Sequence, residues 1–223
     1  MPDTVPETAK TLHEQGRAAG ALGHFDQAIA LLGQAHAAAP DWPYPVYDMA
    51  FTYLLQDRPW DAAELYAEVD RMVPRGFFTC KTSLHTLRRE LAGEFPPGFT
   101  RSFATLEWMN DPAPKKAILT GITENYPSFG PAWLELSTLL TDPDQRLRAI
   151  ERGLAADPDA ETKGMLILNK AAVLAAGGEQ EAALRILREL ISDPEATAGT
   201  ATFAAESLAR LVQDRQDARG DQE

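Results

Sequence analysis

The chain has 223 residues, 44% hydrophobic and 24% charged, the balance of an ordinary soluble globular protein. Its formal net charge of −12 argues against general binding to nucleic acid or an anionic membrane, which repel an acidic surface. A single cysteine, Cys80, excludes an internal disulfide framework and a cysteine-based zinc cluster.

The first ten residues carry no apolar core, and the longest apolar runs fall well short of the roughly 20 residues that cross a bilayer. The expectation is a cytoplasmic chain with neither a secretory leader nor a membrane span. Residues 9–22 and 26–38 then read as two helices, with Gly23 at the turn, where a positive φ ends a helix cheaply. A third helix over 45–56 opens with proline in its first turn. The turn that follows permits two registers, Pro59 with Ala62 or Trp60 with Ala63.

Small and apolar residues recur at matching offsets in these two stretches. The first runs Leu12, Gly16, Ala19, Gly23, Phe25, Ala28, Leu32, Ala35, Pro40; the second runs Val46, Ala50, Tyr53, Asp57, Pro59, Ala62, Tyr66, Val69, Pro74. The closing prolines lie 34 residues apart. From Phe77 the stripe Phe77, Cys80, Leu84, Leu87, Leu91 steps by three and four and predicts another amphipathic helix. Its partner does not follow directly. Glu94-Phe95-Pro96-Pro97-Gly98 intervenes, and a short helix over 100–109 carries Phe103, Leu106 and Trp108. The next closing proline, Pro127, lies 53 residues from Pro74, so the middle of the chain carries 19 extra residues.

The period then returns. Lys116-Ala117-Ile118 and Arg148-Ala149-Ile150 open equivalent patterns ending at Pro127 and Pro158, with Trp133, Leu136, Ser137 and Leu140 between them on a first helix. A last unit runs through Leu166, Val173, Gly177, Ala182, Ile186 and Pro194, and Phe203, Leu208, Leu211 and Val212 form a helix over its end.

A 34-residue period with small residues at helix crossings and a closing proline resembles the tetratricopeptide repeat family. The resemblance implies an all-α fold, a right-handed α-α superhelix of helix pairs with an irregular central insertion and a terminal capping helix. The units expected are repeats over 9–42 and 43–76, an irregular third over 77–127 with its insertion at 93–111, repeats over 128–160 and 161–195, a cap over 199–214 and a tail over 215–223.

No phosphate loop, dinucleotide fingerprint, zinc-protease helix or nucleophile elbow is present. Cys80 and His85 stand about 140° apart round a helix, so they face different ways and Cys80 belongs to the apolar stripe. The four histidines are scattered singly, which predicts neither a metal nor a cofactor.

In arrays of this kind the first helices line an inner face. Those offsets select Lys10, His13, Arg17, Tyr44, Tyr47, Phe51, Phe78, Lys81, His85, Arg88 and Arg89, a cationic and aromatic groove in an acidic chain. Carboxylates suit the charges and an apolar side chain suits the rings. Some chaperone-docking members of the family clamp a terminal carboxylate, but their offsets here hold His13, Arg17, Asp48, Phe78 and Thr82, with aspartate where the clamp has asparagine. In the second half the same offsets supply Leu134, Thr138, Ile167, Ala171 and Leu174.

The function expected is a non-enzymatic protein-interaction module that holds an acidic or carboxylate-ended peptide or a partner segment. The alternatives are a homodimeric scaffold joined through the apolar second half, and an enzyme with a site at Arg101, Glu107 and Trp108 on the insertion.

Overall fold

The computed structural model describes residues 5–220, with side chains as far as residue 217. Every regular element among them is helical, and the chain divides into two compact units, Met1–Trp108 and Met109–Glu223. The all-α fold of paired helices expected from the sequence is observed within each unit. No helix among the described residues is long and apolar enough to cross a membrane.

The first unit contains α1 (Glu7–Ala21), α2 (Phe25–Ala38), α3 (Pro43–Leu55), α4 (Pro59–Met72), α5 (Cys80–Leu91) and the two-turn α6 (Phe99–Ala104), followed by a 3-10 turn, Thr105–Trp108. Proline opens α3 and α4, where the lost amide hydrogen has no helical acceptor in any case. Gly23 ends α1 at φ +78°, and the His24 amide reaches back to the Ala19 carbonyl. Asp57, 34 residues on, takes the same left-handed position after α3, and the Arg58 amide reaches the Tyr53 carbonyl. The short polar side chain of aspartate tolerates that conformation.

Gly16 marks the tightest crossing of α1 and α2, for a Cβ there would lie 2.7 Å from Leu32 Cγ. Ala50, at the same offset in the next pair, is fully buried. One core runs from Leu32 through Val46, Ala62, Tyr66 and Val69 to Cys80, Leu84 and Leu87. Each large aliphatic side chain in it contributes roughly 1.5–3 kcal/mol by leaving water. Pro59 starts α4 and Ala62 is buried while Trp60 is exposed, which selects the Pro59 register. Tyr66 is enclosed, and burial, with Tyr47 next, pushes its ionisation well above the ordinary value of 10.0.

The inserted segment is docked. Phe95 and Phe99 are buried and stacked at 4.4 Å between centroids, and Leu106 is buried beneath the 3-10 turn; Phe103 is half-buried. Its anchor is Glu90, a buried carboxylate on α5. Glu90 Oε1 accepts the Gly98 amide at 2.6 Å, and Oε2 accepts the Thr100 amide at 2.8 Å and its hydroxyl at 2.6 Å. These are the free amides at the start of α6, so one carboxylate caps a helix that proline separates from α5.

The second unit contains α7 (Pro112–Asn125), α8 (Gly130–Leu139), α9 (Pro143–Ala155), α10 (Ala160–Ala176), α11 (Gln180–Ser192) and α12 (Ala198–Gly220). Asp111, Asp142 and Asp159 cap α7, α9 and α10 by accepting backbone amides. Gly153 lets α9 approach Leu166 and Trp133, both of which lie within about 3 Å of where its Cβ would stand. In α7 the buried residues are Leu119 and Thr123; Ala117 and Ile118, whose counterparts Ala149 and Ile150 are buried in α9, are exposed. The two patterns are alike in sequence, but α7 meets α8 with a different face. α12 covers α10 and α11 through Ala204, Leu208 and Leu211 and continues beyond residue 214, the expected end of the cap, to Gly220. Arg215 pairs with Glu181 on α11 and Gln213 bonds to Asp217 one turn on, which extends the helix into the expected tail; residues 221–223 of that tail lie outside the described residues.

Ala50→Leu places three extra carbons in a closed crossing and is expected to lower stability by about 1–3 kcal/mol in urea unfolding. Gly16→Ala should lose less, because about 1 kcal/mol of helix propensity offsets the clash with Leu32. An unchanged unfolding midpoint for Ala50→Leu would contradict the crossing.

Candidate functional site

The first unit carries an aromatic ladder built mainly by α3. Tyr44, Tyr47, Asp48 and Phe51 fall three and four residues apart and so share one face of that helix. Tyr44 meets Phe77 at 4.9 Å and Phe78 at 5.6 Å; Tyr47 meets the same two rings at 5.6 and 5.4 Å. Phe77 is buried beneath them, and Tyr47 Oη lies 2.8 Å from Thr79 Oγ1. Phe51 meets Trp108 edge-on at 5.9 Å, and Trp108 is 55% exposed.

Phe78 stands apart. It is 59% exposed and its φ is +47°, a conformation that is a genuine outlier for a bulky residue. Backbone strain of this kind costs on the order of 1–3 kcal/mol and gathers at binding sites. Here it lifts one phenyl ring out of the ladder into solvent.

At the ladder's other end His13 is buried on α1, with Nε2 2.7 Å from Asp48 Oδ2. Its ring lies 4.8 Å from Trp42, which in turn lies 5.6 Å from Tyr44. Arg17 Nε approaches the same Asp48 oxygen at 3.7 Å, with its side chain 68% exposed. Asp48 therefore holds His13 in place and leaves most of the Arg17 guanidinium facing water.

The remaining cations are more occupied than their sequence offsets suggest. Lys10 pairs with Glu7 at 3.3 Å, Lys81 with Asp70, and Arg89 with Glu94 at 2.8 Å while stacking over Phe95. The surplus of positive charge expected in the groove is thus largely neutralised by acids of the same unit. Arg88 is not among the rings at all; it lines a cleft between α4 and α5 with Trp60. His85 is half-buried, with Nε2 enclosed and unbonded.

Trp42 and Asp48 join this cluster, though neither was among the groove positions chosen from sequence. Trp42 precedes the first turn of α3, where helical spacing says nothing; Asp48 sits at an offset where the family's clamp has asparagine. Of the positions expected to form an apolar face in the second unit, Leu134, Ile167 and Leu174 are half-buried. Leu134 packs on Ile150 and Leu166, Ile167 and Leu174 pack on the α10–α11 core, Ala171 is buried within it, and Thr138 is exposed. On the insertion, Arg101 lies 3.3 Å from Asp57 and Glu107 is exposed. Among the described residues no group of three His, Cys, Asp or Glu is placed to hold a metal ion.

No protein-family model and no curated protein matches the chain. Among solved structures it is similar to the 41-end form of MamA from Desulfovibrio magneticus RS-1, at 11% identity over 83% of this chain and 94% of that one, with a TM-score of 0.41. It is also similar to TTC0263, a thermophilic TPR protein of Thermus thermophilus, at 18% identity over 92% and 99%, TM-score 0.39, and to Pseudomonas aeruginosa pilF, at 16% over 96% and 88%, TM-score 0.35. At these scores no residue or role is carried over from any of them.

Removing the Glu90 carboxylate leaves the Gly98 and Thr100 amides unpaired under the insertion, a loss of about 1–3 kcal/mol. Glu90→Ala should therefore speed hydrogen exchange throughout 98–108 while leaving α3 and α4 protected. Unchanged exchange in that segment would show that the stacked phenylalanines alone dock it.

Proposed function

We propose that the inner face of the first unit is a docking surface for a segment of another protein, and that the chain works as a non-enzymatic interaction module. Helix-pair arrays are interaction and scaffold folds, since their first helices offer an extended face that no internal contact consumes. The observation that carries the reading is Phe78, a bulky ring held exposed at positive φ at the head of a continuous aromatic ladder. A fold gains nothing from that strain by itself.

The rings receive one large apolar side chain from the segment, gaining edge-to-face contacts worth about 0.5–1.5 kcal/mol beyond burial. Arg17 supplies the preference for a carboxylate, because its guanidinium keeps most of its donors toward water beside Asp48. The ion pairs at Lys10, Lys81 and Arg89 make that preference weaker than a bare cationic groove would. A catalytic reading has less support: Cys80 is buried with its thiol donating to the Tyr66 carbonyl at 3.2 Å, away from the ladder.

Phe78→Gly tests the assignment without harming the fold, because glycine adopts positive φ freely. Stability in urea should be unchanged or up to about 1 kcal/mol higher, as strain is relieved. Selection of a random peptide display library on the wild-type protein should enrich peptides with an aromatic or large aliphatic residue near a carboxylate, and Phe78→Gly should enrich none of them. Equal recovery on both proteins would remove the ladder from the binding site.

A further inference from the structure

The first unit contains a second surface, independent of the aromatic ladder. α1 packs along α2 and α3 along α4, each first helix lying against a full-length second helix. Among the described residues of this unit, α5 has no full-length companion of that kind. The chain after it turns at Gly93, and the short α6 returns to the side of α5 that carries Glu90, where it touches α3. The opposite flank of α5 stays open. There, with α4, it forms a cleft of about 570 Å³ floored by Ala63, Ala67, Leu84 and Leu91, with Trp60 at one rim, 71% exposed. In a regular pair this is the seat of the second helix.

We propose that this cleft is a socket for an amphipathic helix supplied by a partner protein. The chain's own second helices define the pattern the guest carries. α2 presents Ala28, Leu32 and Ala35 and α4 presents Ala62, Tyr66 and Val69, in both cases at helical positions 4, 8 and 11. The alanine that opens each stripe permits close approach, and the large central residue fills the cleft.

Charge sets the direction and flanks of the guest. The short connection makes α4 and α5 antiparallel, and a second helix antiparallel to α5 brings its N-terminus toward Trp60, Asp61 and Glu64. That end carries positive partial charge, which the two carboxylates favour. Asp61 is already held by Arg58 at 2.8 Å, whereas the side chains of Glu64 on one wall and Arg88 on the other pair with nothing among the described residues. The guest that satisfies both carries a lysine or arginine in its first turns toward α4 and a carboxylate toward α5.

The probe is a helix-stabilised, fluorescein-labelled peptide with the Ala-Leu-Ala stripe of α2, lysine in its first turn and glutamate on the flank that meets Arg88. Fluorescence anisotropy with the full chain should show saturable binding. Trp60→Ala should weaken it about tenfold, as loss of an aromatic anchor does. Arg88→Glu should weaken it about fivefold, and a probe with lysine in place of that glutamate should recover the loss. Both side chains line the open cleft rather than the core, so both variants keep the fold, checked by circular dichroism. Phe78→Gly should leave the affinity unchanged, which separates this socket from the ladder. No binding of the probe, or equal affinity for wild type, Trp60→Ala and Arg88→Glu, would overturn the proposal. So would dilution-dependent dimerisation of the wild-type chain that either variant abolishes, because the occupant would then be a second copy.

Discussion

A pair of helices joined by a tight turn cannot bury its own apolar stripe. Each pair leaves a face that only the next helix can cover, and the two units answer this demand differently. In the first, α3 lies on α1 and α2, α4 on α3 and α5 on α4, carrying one core from Leu32 to Leu87. In the second, the long α12 lies on α10 and α11 and brings that series to an end. Stability spread along such a series is a sum of neighbour contacts rather than the property of one centre.

Close approach is what lets each contact form. Gly16 meets Leu32, Ala50 is sealed in the next crossing, and Gly153 meets Leu166 and Trp133. A side chain even one methyl larger at Gly16 or Gly153 must push on a buried neighbour, because interiors have almost no spare volume. The place where the pattern breaks is governed by a polar contact. Three donors from Gly98 and Thr100 converge on Glu90, and without that carboxylate the stacked rings of Phe95 and Phe99 would sit beside unpaired amides. The insertion thereby supplies an aromatic neighbour for Phe51 and leaves the far flank of α5 open.

The face of the first unit that carries the ladder is correspondingly more aromatic than cationic. Acids on the same helix, on a neighbouring helix or in the turn that follows take up Lys10, Lys81 and Arg89, each in an exposed or half-exposed pair that contributes little to stability. Their effect is on recognition, since a paired lysine offers a ligand less than a free one. Arg17 remains open and Phe78 remains raised, and these two define the chemistry that the face presents.

The helix pairs, their small-residue crossings and the buried Cys80 stripe were legible in the chain, because a 34-residue period and a 3.6-residue period are both local repeats of side-chain size. So were Tyr44, Tyr47 and Phe51, which fall at helical offsets, and Phe78, which falls at the matching offset of the repeat. Three features were not. Trp42 lies outside any helix, Glu90 is a charged residue whose burial depends on amides eight and ten residues away, and the acids that quench the groove cations come from neighbouring turns as well as from other helices. The face that α7 buries was also hidden, for Ala117 and Ile118 match Ala149 and Ile150 in pattern yet are exposed. Periodicity specifies which residues share a side of a helix. Which side meets a neighbour, and which charges meet each other, is decided only when the helices pack, because that choice depends on distances between groups far apart along the chain.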